Sequence, residues 1–133
     1  MQELFLTLPL PPTVNSYWGF SGHRRFLTIH AREFKQQVAH IVSQQPIRFG
    51  NVKLSIEIRI WWRDRRIQDL DNRVKPLLDA ITQADLIPDD SNFKQIHVYE
   101  GGVVKGGRCK IKIVALEWFD VLLSGIQWIL SAI

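Results

Sequence analysis

From Val52 to Trp62 the chain alternates strictly: Val52, Leu54, Ile56, Ile58 and Ile60 are separated by Lys53, Ser55, Glu57 and Arg59. A period of two with β-branched residues on one side predicts a strand with one buried face. Glu3 to Leu8 predicts a shorter strand, stopped by Pro9, Pro11 and Pro12 and followed by a loop to Ser16 that carries Asn15. Tyr17 to Phe26, with Gly19 and Gly22, predicts an irregular or hairpin excursion. Between Ala31 and Gln44 the period lengthens, with Phe34, Val38, Ile41 and Val42 at helical spacing. A second amphipathic helix is written in DLDNRVKPLLDAITQA, where Val74, Leu77, Leu78 and Ile81 form one stripe. Pro76 lacks an N–H and is tolerated only in a first turn, so this helix begins near Asn72 or Arg73, with Asp69 and Asp71 at its entrance. After the turn-like DLIPDD come two strand candidates, Lys94 to Val104 and Arg108 to Trp118, predicted to join around Gly106 and Gly107 as a hairpin.

The tail, Phe119 to Ile133, repeats the helical pattern with Phe119, Leu122, Leu123, Ile126, Ile129, Leu130 and Ile133. It falls short of the roughly 20 apolar residues of a membrane span, so docking on the core or on a partner chain is expected. The elements add up to an α+β fold with about four main strands and two main helices. Residues 1–118 form one small domain, and residues 119–133 form an apolar helical extension.

Composition narrows the chemistry. The single Cys109 excludes an internal disulfide framework, and four scattered histidines without paired cysteines leave a zinc site nothing to stand on. A reducing cytoplasm is expected. The N-terminus carries Glu3 where a secretion signal would be basic, and its apolar run is broken by prolines, so no export is predicted. Lys and Arg exceed Asp and Glu by 17 to 13, which favours contact with polyanions.

Two acidic points flank the second helix: Asp69 and Asp71 at its entrance, Asp89 and Asp90 in the turn after it. They converge only if the chain folds back along the helix. Carboxylates brought together repel unless a cation compensates. Hard oxygen ligands suit Mg²⁺ or Mn²⁺, and Mg²⁺ keeps waters that serve as nucleophile in phosphodiester hydrolysis. The plainer reading is that Asp69 and Asp71 cap a helix and that the later acids form a surface turn. Lys75, four residues after Asp71, tilts the balance, because a lysine there stabilises charge on a phosphate or a leaving oxygen. Its plainer role is a surface ion pair.

Arg59, Arg63, Arg65, Arg66 and Arg73 surround these acids within one strand, loop and helix unit. A polyanionic substrate needs cations for its phosphates and a neutralised acidic centre at the cleavage point, so the mixed signs belong together; a solvated charged loop is the alternative. Lys105 to Arg108 form a second basic feature, a Gly-rich turn whose backbone can approach a phosphate. Of Trp61 and Trp62, adjacent in a strand, one is expected to face the core. No P-loop is present, and no nucleotide cofactor is expected.

The ordered set LPLPPTVNSYW, DLDNRVKPLLDAI, PDDSNF and VVKGGR resembles the RusA-type Holliday-junction resolvases of bacteria and their prophages, over most of the chain. The resemblance implies a mixed sheet, with Asp69, Asp71 and Asp90 as metal-binding catalytic carboxylates and Lys75 as an essential basic neighbour. It also implies Mg²⁺ dependence, a homodimer, and paired symmetric nicks in a four-way DNA junction during recombination and repair. Arg63, Arg65, Arg66, Arg73, Lys105, Arg108 and Asn15 are then candidate DNA contacts, and Asp89 a supporting acid. The tail from Phe119 departs from the family pattern. Two rival readings are a non-catalytic branched-DNA-binding module and a metal-dependent hydrolase of small phosphate esters; the latter does not call for so broad a spread of arginines.

Overall fold

The computed structural model describes residues 2–132, so that Met1 and the predicted tail residue Ile133 lie outside it. The element order is β1 (Glu3–Leu8), β2 (Trp18–Ser21), β3 (Arg24–Leu27), α1 (Ile29–Ser43), β4 (Leu54–Trp62), α2 (Val74–Gln83), β5 (Phe93–Val103), β6 (Arg108–Ala115) and α3 (Trp118–Ser131). The fold is α+β. Four strands form a mixed sheet in the order β1-β6-β4-β5, and β2 and β3 form a separate antiparallel hairpin within the predicted excursion.

Alternation decides the layers. On β4, Leu54, Ile56, Ile58, Ile60 and Trp62 are buried on one face and meet Leu4, Leu6 and Leu8 of β1 and Cys109, Ile111 and Ile113 of β6 in a single core. Phe34, Val38 and Val42 of α1 and Leu77, Leu78, Ala80 and Ile81 of α2 cover that face. Alternation with branched side chains is what a half-buried sheet demands, and β4 shows it over most of its length. Trp62 is in the core and Trp61 on the other face, as alternation requires. The uncovered face is lined by cations over aromatic rings: Arg59 over Tyr99, Lys110 over Trp61 and Lys112 over Phe5.

The expected β5–β6 hairpin does not form. β4 lies between the two strands, parallel to β5 and antiparallel to β6, so the segment 104–107 crosses the end of β4 instead of turning between neighbours. Val104 N–H donates to the Trp62 carbonyl at 2.9 Å, and a Cβ on Gly107 would come within 2.7 Å of Leu10. Gly106 and Gly107, with φ of 78° and 72°, make the crossover possible. Glycines that looked like a tight turn serve a close passage over a strand end. A parallel β4–β5 pair needs a crossover, and α2 supplies it.

Helix α3 starts one residue earlier than the periodicity suggested. Glu117 N–H donates to the Asp120 carboxylate at 3.0 Å in a capping box. None of its residues is buried, so docking on the core, one of the two expectations for the tail, is not what the structure shows. Among the described residues no helix is long and apolar enough to cross a membrane.

Candidate active site

The chain leaves β4 at Trp62, passes through residues 63–70, and enters a 3₁₀ turn at Asp71–Arg73 that runs straight into α2. Pro76 occupies the third helical position, where its missing N–H leaves no bond unmade. The residues at the cap positions are Leu70 for the 3₁₀ turn and Arg73 for α2, and neither supplies a side-chain cap. Asp69 touches only the Asn72 side-chain amide, at 3.5 Å, and Asp71 makes no side-chain hydrogen bond or ion pair among the described residues. The capping explanation for these two acids therefore fails, and both stand exposed beside the positive end of a helix.

The return of the chain is built at the other end of α2. Asp85 adopts φ 61°, Leu86 N–H bonds to the Ile81 carbonyl at 3.2 Å and Asp85 N–H to the Thr82 carbonyl at 3.0 Å, a Schellman closure with aspartate in the usual glycine position. Leu86 and Ile87 then sink into the core, and Phe49 N–H pins the Leu86 carbonyl at 3.0 Å. Buried Asn92 anchors the next turn, donating to Asn51 Oδ1 and the Val52 carbonyl, both at 3.0 Å. Asp89 caps that turn by accepting from Ser91 N–H at 3.2 Å, and the Ser91 bonds hold its carboxyl below the usual carboxylate range. Asp90 is thereby presented toward the first turn of α2, where Lys75 Nζ donates to its Oδ2 at 2.7 Å.

Lys75 does not pair with Asp71. It bridges Asp90 and Asp79, the latter at 3.0 Å, and these two bonds raise its ammonium well above the ordinary lysine value. Asp79 was missed in the sequence, although its place four residues after Lys75 is a readable ion-pair signal. Tyr17 joins the same neighbourhood from the N-terminal segment. Burial, then the nearby Asp79 charge, push its phenol up to about 12, and the hydroxyl is buried without a hydrogen-bond partner.

The donor types here, exposed carboxylate oxygens on two converging segments, suit a hard divalent cation. Among the described residues no three His, Cys, Asp or Glu side chains stand close enough to share one, and Asp90 is engaged by Lys75.

The basic residues divide into two kinds. Arg63, Arg65 and Arg66 are exposed on the loop after β4, Arg66 being paired with Asp64 at 2.7 Å. Lys105 on the crossover and Arg108 at the start of β6 are exposed at the same end of β4, and Asn15 is exposed on the 3₁₀ turn Val14–Ser16. Arg73 is different: only 7% exposed, it donates to the Pro11 carbonyl at 2.6 Å and to Gln68 Oε1 at 3.0 Å. It ties the N-terminal loop to the turn that carries Asp71, a role its sequence position did not reveal.

Residues 9–114 match the family described as endodeoxyribonuclease RusA, a match that ends before α3. The crossover junction endodeoxyribonuclease of Enterobacteria phage HK97 is 36% identical over 118 residues, 88% of this chain and 98% of that relative. Those of Escherichia coli K12 and Enterobacteria phage 82 are each 31% identical over 117 residues, covering 87% of this chain and 98% of the relative. With a family match over most of its length, and a fold that returns Asp90 to the helix start, the chain belongs to the RusA endodeoxyribonuclease family.

Proposed function

We propose that this protein is a Mg²⁺-dependent endonuclease that resolves four-way DNA junctions in recombination and repair by paired symmetric nicks. The observation that carries the reading is the bridge from Lys75 to Asp90, which brings the later acidic turn back to the helix entrance where Asp69 and Asp71 stand uncapped. The relatives named crossover junction endodeoxyribonucleases supply the substrate class.

Asp69, Asp71 and Asp90 would hold the ion, with Mn²⁺ a workable substitute. When bound, it supplies Lewis-acid activation of water and neutralises charge at the phosphoryl group. Lys75 places a fixed positive charge where the leaving oxygen develops negative charge, with Asp79 holding its ammonium in place. Arg63, Arg65, Lys105 and Arg108 grip neighbouring phosphates from one end of β4, and Asn15 offers a further polar contact. A four-way junction has two-fold symmetry and needs two equivalent centres, which supports a homodimer.

The test compares a labelled synthetic four-way junction with a matched linear duplex, in Mg²⁺ or EDTA, for the wild-type protein and Asp71→Asn. The expected result is symmetric nicking of the junction alone, abolished by EDTA and reduced at least about a thousandfold in the variant while binding persists. Tight binding without nicking under any metal would instead mark a binding module.

A further inference from the structure

A cleft of about 380 Å³ opens beside the candidate active site, between the loop Pro9–Thr13, the first turns of α1 and the loop after β4. Arg63, Arg66 and Arg73 line it, facing His30, Glu33 and Gln37. Its electrostatics are unbalanced. Arg73 is a buried cation whose partners are neutral: a backbone carbonyl, an amide oxygen and the Trp62 ring 5.4 Å away, with Nε left without a hydrogen bond. Neither Arg73 nor Arg63 has an ion pair among the described residues, although both line the same cleft. A buried cation beside a second cation is costly unless an anion neutralises it. Glu33 is the single carboxylate on the wall, and Arg66 is already engaged by Asp64.

We propose that this cleft is a phosphate subsite that takes a non-scissile phosphodiester of the bound DNA, held by Arg63 against the buried Arg73. The proposal rests on the reading of the protein as a DNA nuclease and goes beyond it by assigning a built pocket to one phosphate. A phosphate fits better than a base, because three guanidinium groups line the cleft and Phe34, on the same wall, is buried. Arg73 belongs to the same 3₁₀ turn as Asp71, so an anion in the cleft also steadies the turn that carries the acid.

The test uses the full chain and two readouts. Neutral methylphosphonates replace single phosphates around the nick site of a junction, and binding in EDTA is compared between wild type and Arg63→Gln, a change at an exposed position that spares the fold. The expected result is one position per half-site where replacement weakens wild-type binding about tenfold but scarcely affects the variant, whose salt slope falls by about 1. Additive losses at every position, with an unchanged slope, would overturn the subsite. In parallel, inorganic phosphate is titrated while the arginine Nε–Hε NMR signals are followed. A saturable shift of Arg73, lost in Arg63→Gln, is expected, and no shift up to tens of millimolar counts against the subsite. Phosphate binding with an additive DNA scan would mean that the cleft takes free phosphate and not the substrate strand. Coupling in the scan without any nicking would leave the subsite standing and remove the nuclease reading, whereas nicking without coupling would do the reverse.

Discussion

Helices α2 and α3 carry the same kind of apolar stripe, yet α2 buries Pro76, Leu77, Leu78, Ala80 and Ile81 whereas α3 buries nothing. Their ends differ as well. α3 is closed at its start by a local device, the Glu117–Asp120 capping box, while α2 has a local backbone closure only at its C-terminal end and no side-chain cap at its start, where it depends on the chain packed before it. A helix that caps its own start needs no neighbour to satisfy the free N–H groups at that end. A helix whose start is left uncapped keeps the carboxylates there free for other work, and α2 has Asp69 and Asp71 at that end.

The sharpest way to break this contrast is to truncate one apolar side chain in each helix. Leu77→Ala, in a fully buried position, is expected to lower unfolding free energy by about 2–5 kcal/mol, whereas Leu123→Ala on exposed α3 should change it by less than about 0.5 kcal/mol. Urea titration of both variants decides it, and a large loss at Leu123 would show that α3 is covered in solution, as by a second copy of the chain.

A smaller effect is expected at the charged margin of α2. Asp79→Asn removes one of the two carboxylates that hold Lys75, so nicking of a junction should slow by about tenfold in kcat with little change in KM. An unchanged kcat would mean that Asp90 alone positions the lysine.

The smallest effect concerns Tyr17, whose phenol has a raised pKa of about 12 against an ordinary value of 10.0. The folded chain then holds this proton more tightly than the unfolded chain. The stability that results is whole below about pH 10 and fades as the pH climbs to about 12. Tyr17→Phe should flatten alkaline unfolding across that window without lowering neutral stability, since the hydroxyl is buried beyond normal hydrogen-bond length of any partner. Buried Cys109, also pushed up to about 12, leaves a residual slope of the same sign. Superimposable alkaline curves for the two proteins would refute a Tyr17 contribution.

What the sequence determined by itself was local. The period of two in Val52–Trp62, the period near 3.6 in α1, α2 and α3, and the position of Pro76 near a helix start are properties of neighbouring residues, and each appears within a few residues of its expected place. The candidate acids and Lys75 were legible in the same way, as residue types placed around one helix. Tertiary structure decided the rest, because it depends on contacts between residues far apart in the chain. β4 enters between β5 and β6, which no short-range signal at Gly106–Gly107 could announce. The left-handed Asp85 and the anchored Asn92 carry Asp90 back to Lys75, and Arg73 turns inward because Pro11, 62 residues earlier, offers it a carbonyl. An apolar stripe states that a helix has something to bury; only the packed sheet determines whether a surface is there to receive it.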